Sequence, residues 1–328
     1  MALPVWPRAA RGAPNLDGMV IVDSHTHPGA LYRGSGNSTA SALSAIKQSK
    51  VTAVVFSIPS DIPVMGRQRS ITRDPEPDEL YTYTFDQLKQ ARALIESAGL
   101  PILLNAADLK AAKAAKTPGV ILAIEGGDFA VSRLEAIAEA HALGVRVVQP
   151  GHYYPNNLTD LQKAQSKHGG LSSAGEDFIR ELNRLGIVVD TAHMTSAAVA
   201  RAAEVSSTPV ILSHTLLTSR SGGRFIDPAH ARLVAASGGL IGVWSLDHEQ
   251  GTPSKSAYVN AFRAFADVVG VDHVGLGSDI DSTRGWFDGY GKLPDLAEGL
   301  SSAGYTDDEV AKMLGGNFLR VFETVTGA

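Results

Sequence analysis

Two histidines one residue apart, His25 and His27, close the apolar run M-V-I-V-D-S-H-T-H-P-G from Met19 to Gly29. If Met19 to Val22 is a strand covered on both faces, the histidines lie at its carboxyl end. Residues two apart then face the same side, so both imidazoles can reach one divalent ion. Taken alone, the pair could equally be two surface histidines on a loop. The metal reading gains from five later positions that also follow apolar runs: Glu125, His152, His193, His214 and Asp279. A single glutamate can span two divalent ions held ~3.5–4 Å apart, the arrangement of two-metal hydrolytic sites. In that reading Glu125 is the bridge, His25 and His27 complete one ion, and His193 and His214 complete the other. Water held between two such ions gives hydroxide at neutral pH. Asp279 is suited to orient that water and to carry its proton to a leaving group.

These residues need a scaffold that brings the ends of many strands together. Strand-like runs occur at Met19–Val22, Val51–Ile58, Val120–Ile124, Val145–Val148, Ile187–Val189, Val210–Leu212, Leu240–Trp244 and Val274–Leu276. Helical patterns alternate with them. Capping boxes are expected at Ser173 to Glu176 and Thr306 to Glu309, and Asp227-Pro228 supplies a cap followed by proline at the first helical position. Eight such units without a linker describe a single (β/α)8 TIM-type barrel over residues 17–328, after an irregular arm at 1–16, with the site at the carboxyl ends of the strands. A doubly wound open sheet is the competing architecture, but no Gly-x-Gly-x-x-Gly turn follows the first strand. Residues 57–77, with four prolines and three arginines, read as an irregular loop on the strands' carboxyl side, where a lid or substrate-contacting loop belongs.

Composition narrows the class. The 328 residues carry a net charge of −5, which provides no basic face for nucleic acid. There is no cysteine, so any metal must be held by histidine nitrogen and carboxylate oxygen, a donor set that suits zinc. No apolar run reaches the ~18 residues that span a bilayer. The opening M-A-L-P-V-W-P-R lacks the apolar segment of a secretory signal and leaves the compartment open, whether cytoplasmic or, after trimming, periplasmic or secreted. Oligomeric state is open too, a homodimer included.

Longer stretches carry a resemblance. They are A-I-E-G-G at Ala123 to Gly127, N-N-L-T-D at Asn156 to Asp160, G-L-S-S-A-G-E-D-F-I-R-E-L-N-R-L-G-I-V-V-D-T-A-H ending at His193, T-P-V-I-L-S-H-T at Thr208 to Thr215, V-D-H-V-G-L-G-S-D-I-D at Val271 to Asp281, and G-G-N-F-L-R-V-F at Gly315 to Phe322. In this order they resemble the membrane (renal) dipeptidase family, zinc enzymes of the amidohydrolase-type barrel class. The resemblance implies a binuclear zinc dipeptidase in which His152 polarises the scissile carbonyl. It also implies that Arg224 pairs with the substrate's terminal carboxylate and that Asp279 is the acid/base. Two positions depart from the family pattern: His27 stands where an aspartate is usual, and Asp128 follows Gly126-Gly127 where a histidine is usual. Two other readings stay open: a related hydrolase acting on a lactone, an N-acyl amino acid or a phosphoester, and a non-catalytic metal-binding barrel. Tyr153, Tyr154 and Trp244 are either pocket or core aromatics, and His141, His168 and His230 read as surface residues.

Overall fold

The apolar runs form eight short strands, each buried along its whole length: β1 (Val22–Thr26), β2 (Ala53–Pro59), β3 (Gly119–Glu125), β4 (Val145–Gln149), β5 (Val188–Val189), β6 (Ile211–Thr215), β7 (Leu240–Val243) and β8 (Val274–Leu276). The structure is a computed structural model, and it describes residues 14–34, 36–218, 223–246, 253–282 and 285–327. The arm expected at 1–16 therefore lies almost entirely outside the described residues. All strands are parallel, and each pairs with its neighbour in sequence from β1 to β5 and from β6 to β8. β1 also pairs with β8, so the order runs β5-β4-β3-β2-β1-β8-β7-β6 with β5 and β6 at its ends. A single bridge, Asp190 to Ile211, joins β5 to β6, with Thr191 N and Oγ1 donating to the Ile211 carbonyl at 2.7 and 2.8 Å. The fold is the expected (β/α)8 barrel.

Its interior changes character along the axis. Toward the strands' amino ends Val22, Ala53, Val188, Ile211 and Leu240 belong to one apolar cluster with Phe318, Val321 and Phe322 of the last helix, Asn317–Thr326. Each buried phenylalanine there contributes about 1.5–3 kcal/mol. Toward the carboxyl ends the buried side chains are polar: Ser24, Ser57, Gln149, Asp190 and Ser213. Ser24 Oγ bridges two strands by donating to the carbonyls of Ser213 and Leu276, both at 2.8 Å. Gly242 allows close approach in this layer, since a Cβ there would lie 1.8 Å from the Ser213 carbonyl oxygen. Among the described residues no helix is long and apolar enough to cross a membrane.

Three local expectations are corrected. β1 begins at Val22, not Met19, because the ladder with β2 starts at Val22 opposite Ala53; Ile21 is tied instead to the residue before β2, its amide donating to Thr52 Oγ1. His25 is thus inside the strand and His27 just beyond it. The helix Ser173–Arg184 is capped by Ser172, whose Oγ accepts from Gly175 N, while Glu176 binds Arg180 and Arg201 and does not close a box at Ser173. The box at Thr306 and Glu309 and the Asp227 cap form as expected.

His230 is the third correction. It is 4% exposed on the helix Pro228–Ala236, and its Nε2 has no partner among the described residues. Burial pushes its pKa down to about 4 from 6.5, against a weaker upward pull from Asp227. The unfolded chain therefore binds the extra proton between these values, and stability contributed above pH 6.5 is lost as pH falls toward 4. A drop of that size is worth on the order of 3 kcal/mol. Urea denaturation at pH 7 and pH 4.5 should show a smaller acid loss in His230→Leu than in the parent, by a sizeable part of that amount.

Candidate active site

Glu125, the last residue of β3, is 2% exposed and surrounded by five imidazoles from four segments. Its Oε1 lies 2.9 Å from His193 Nε2, 3.5 Å from His25 Nε2 and 3.8 Å from His214 Nε2. Its Oε2 lies 3.4 Å from both His27 Nε2 and His152 Nε2. Asp279, after β8, puts Oδ1 3.3 Å from His27 Nε2 and 3.9 Å from His25 Nε2. The structure therefore brings all seven of these residues together. Two groups of three satisfy the spacing of a metal site, His25 with His27 and Glu125, and Glu125 with His193 and His214.

The backbone is bent to present them. His193 and Asp279 both hold left-handed φ angles, 71° and 56°. Such angles cost non-glycine residues energy and recur at functional sites. Asp279 is held there by its amide, which donates to the His25 carbonyl at 2.9 Å, and by Ser278, whose amide donates to buried Asp23 at 2.9 Å. Tyr290 OH reaches the same carboxylate at 3.1 Å. Burial raises Asp23 to about 6, the hydrogen bonds from Ser278 and Tyr290 acting in the opposite direction.

The ring orientations test whether the set suits a cation. His27 Nδ1 lies 2.9 Å from the Ser57 carbonyl, an acceptor, so Nδ1 carries the proton and Nε2 presents its lone pair. That lone pair faces Glu125, Asp279 and His25 Nε2, the last at 3.2 Å. Acceptors converging on acceptors inside a buried site is the arrangement a cation relieves, and the carbonyl that fixes the ring is the usual partner of a metal-ligating imidazole. His25 Nδ1 is met by Ser57 Oγ at 3.0 Å and Ser213 Oγ at 3.3 Å, and His214 Nδ1 by Ser213 Oγ at 3.0 Å. The residues present therefore fit a pair of divalent ions.

Charge follows the same geometry. Burial alone would raise Glu125, but His152 and His25 beside it hold it well below the usual carboxylate range. His193 and His214 are driven well below the usual imidazole value by burial and by Arg224 nearby, which favours their neutral forms. Burial would lower His152, yet Asp61 and Glu125 raise it.

Arg224 is 8% exposed, not a surface residue. Its Nη2 donates to His193 Nε2 at 3.0 Å and His214 Nε2 at 2.9 Å, and its Nη1 donates to Gln162 Oε1 at 2.8 Å. Ser221 and Gly222 before it lie outside the described residues. Trp244 is buried against the same group, its ring 5.6 Å from the guanidinium and 5.5 Å from His214. Asp128 turns from the centre. Its carboxylate accepts from Ser60 Oγ at 2.6 Å and Asn156 Nδ2 at 3.0 Å, and burial beside Asp61 raises it to about 7. Gly126, at φ 108°, makes room for this cluster, since a Cβ there would meet Ser60 Oγ at 2.3 Å.

Sequence reasoning missed Asp61. It is fully buried, accepts from His152 Nδ1 at 2.7 Å, and accepts from the amides of Tyr153 and Tyr154 at 2.9 Å each. The only signal was a lone aspartate just past β2 in a proline-rich loop. Asp190 has a similar part: its Oδ1 accepts from Ala192 N and Ser213 N and so ties the segment before His193 to the one before His214.

Residues 16–328 match the profile of the family described as membrane dipeptidase (Peptidase family M19). The dipeptidase tcpJ of Claviceps purpurea is 30% identical over 194 residues, 56% of this chain and 46% of that protein. The dipeptidase verJ of Clonostachys rogersoniana is 29% identical over 214 residues, 62% and 55% of the two chains. The chain spans about half the length of the curated relatives it matches. A metallopeptidase from Rhodobacter sphaeroides, liganded with a phosphinate mimic of the dipeptide L-Ala-D-Ala, shares the fold. Its TM-score is 0.82 at 18% identity, over 94% of this chain and 99% of that one.

Asp61→Ala leaves two part-buried amides and the buried His152 ring without their acceptor. It should cost about 2–4 kcal/mol in urea denaturation, and 15N chemical shifts should show that His152 has lost its fixed Nδ1 hydrogen bond. A loss below about 0.5 kcal/mol with an unchanged imidazole spectrum would exclude this role.

Proposed function

The chain belongs to the membrane dipeptidase family, and from that membership we propose that it is a binuclear zinc hydrolase cleaving the peptide bond of dipeptides, with residues 17–328 as one catalytic unit. The observation that carries the reading is that Glu125 stands in both groups of convergent side chains, one with His25 and His27 and one with His193 and His214, the ligand atoms of each group lying within 4.8 Å of one another. His25 and His27 would hold one ion and His193 and His214 the other, with Glu125 shared. When bound, the ions would supply Lewis acidity and a water that gives up its proton near neutral pH.

The remaining work falls to side chains. Asp279, fixed beside His27, accepts the proton from water and returns it to the departing amine. His152 carries a proton on each nitrogen, a state favoured by the two carboxylates that flank it. Nδ1 is anchored on Asp61, which leaves Nε2–H free to polarise the scissile carbonyl oxygen as negative charge develops there. Arg224 holds the substrate's terminal carboxylate through paired, charge-assisted hydrogen bonds. Its guanidinium occupies the lone pairs of His193 and His214 in this structure. Once a cation takes those nitrogens, its donors turn to the substrate.

Glu125→Gln should lose most bound zinc, because a neutral amide holds two cations poorly. Asp279→Asn should keep most of the zinc while turnover falls by about 10²–10⁴-fold. Elemental analysis and dipeptide hydrolysis measure both. A parent protein that binds no zinc on reconstitution would remove the whole reading.

Arg224→Ala should raise KM for dipeptides with a free carboxylate by about 10–100-fold and leave C-terminally amidated analogues at their already low rate. Equal losses on both substrate kinds would assign Arg224 to the scaffold.

A further inference from the structure

A cavity of about 420 Å³ opens above the centre. Its floor includes His27, Glu125 and His152, and its wall includes Tyr32, Arg33 and Arg69. Arg69 comes from the loop after β2, and its guanidinium spans the opening. Nη1 donates to Tyr153 OH and Nη2 to Ser282 Oγ, each at 2.9 Å. Both acceptors are neutral. Of the five N–H groups on a guanidinium, three remain for a ligand. Arg73, Arg92, Arg133, Arg180, Arg184 and Arg201 each reach a carboxylate. Among the described residues neither Arg69 nor Arg33 does.

The backbone under Arg69 adds an independent observation. Met65 pairs with Ile71 and Gly66 N donates to Ser70 O at 2.8 Å, so the loop makes a tight hairpin. Gln68 and Arg69 hold consecutive left-handed φ angles of 56° and 59° at its tip. Asn-Gly favours such positions, and longer side chains are strained there. An outlier of this kind, aimed into a cavity, points to function and not to the needs of the turn.

We infer that Arg69 is a specificity-determining residue selecting substrates with a second anionic group, namely dipeptides with an aspartyl or glutamyl side chain besides the terminal carboxylate. The inference rests on the proposed dipeptidase reading, in which Arg224 takes the terminal carboxylate. Arg69 then supplies a separate cation, half-buried where competition from water is reduced, for the side-chain carboxylate. Arg33, stacked on Tyr32 at 5.3 Å, adds positive charge to the same wall.

The test compares zinc-loaded enzyme on paired substrates that differ only in charge: aspartyl against asparaginyl and glutamyl against glutaminyl dipeptides, with the varied residue at either position. The acidic member of at least one pair should have about tenfold or greater advantage in kcat/KM, carried by KM. Arg69→Gly removes the guanidinium while relieving the left-handed strain, so it should keep a Tm near the parent's and bring the ratio close to one. Arg69→Lys keeps the charge without the fork and should retain part of the preference, which secures the test if the glycine variant does not fold. A parent that hydrolyses both members equally overturns the role of Arg69 and leaves the dipeptidase reading intact. A parent that hydrolyses no dipeptide overturns that reading instead. A ratio that survives in Arg69→Gly, with or without a fall in Tm, reduces Arg69 to a strut between loops.

Discussion

A carboxylate buried at the mouth of a parallel barrel sets the terms for its surroundings. Removing the Glu125 charge from water costs several kcal/mol unless opposite charge and hydrogen-bond donors meet it there. His152, whose pKa the neighbouring carboxylates raise, gives part of that answer, and the other imidazoles converging on the two oxygens of Glu125 form the set that a cation would complete. They in turn need fixed rings, which is why the layer beneath them is polar. Ser57, Ser213 and the Ser57 carbonyl hold the far nitrogens of His25, His214 and His27, and Asp61 holds His152. A barrel core with so many hydroxyls and carboxylates stabilises the fold less than an apolar one. The amino half, closed by the last helix, provides the apolar burial that offsets it.

Much of this was legible in the sequence because parallel strands covered on both faces read as unbroken apolar runs. Each run then ends abruptly at a polar residue where the strand meets the mouth. Glu125 and His214 fall on strand ends for that reason, and the metal-competent types stood out against a chain without cysteine. What stayed hidden was long-range. Asp61 serves His152 from 91 positions away, and Asp23 reaches Ser278 across 255, so neither leaves a local pattern. Local boundaries slipped where two residues could play one part, as with Ser172 and Ser173 at one helix start. His230 misled because helical spacing alone does not say which face is covered once a masking loop or neighbouring helix lies over it.

The two departures from the family pattern have different physical outcomes. His27 stays in the centre with its Nδ1 proton committed to a backbone carbonyl, and an imidazole there brings no negative charge where an aspartate would bring one. Asp128 leaves the centre and joins Ser60 and Asn156. Burial, together with the like charge of Asp61 beside it, raises its pKa to about 7. The N-N-L-T-D stretch has a structural part as well. Asp160 collects the amides of Lys167, His168 and Gly170 and folds the loop that leads to the helix before β5.

The join between β5 and β6 has one bridge, Asp190 to Ile211, whereas β2 and β3 share seven pairs. Such a seam is where the ring of strands parts at the lowest free energy. His193 follows one side of it and His214 lies on the other. A cation held by these two imidazoles would act as a clasp across the gap and resist its opening. Amide exchange along Asp190 to Thr191 and Ile211 to Leu212 would then serve as a gauge of occupancy, reporting on the centre through the mechanics of its wall.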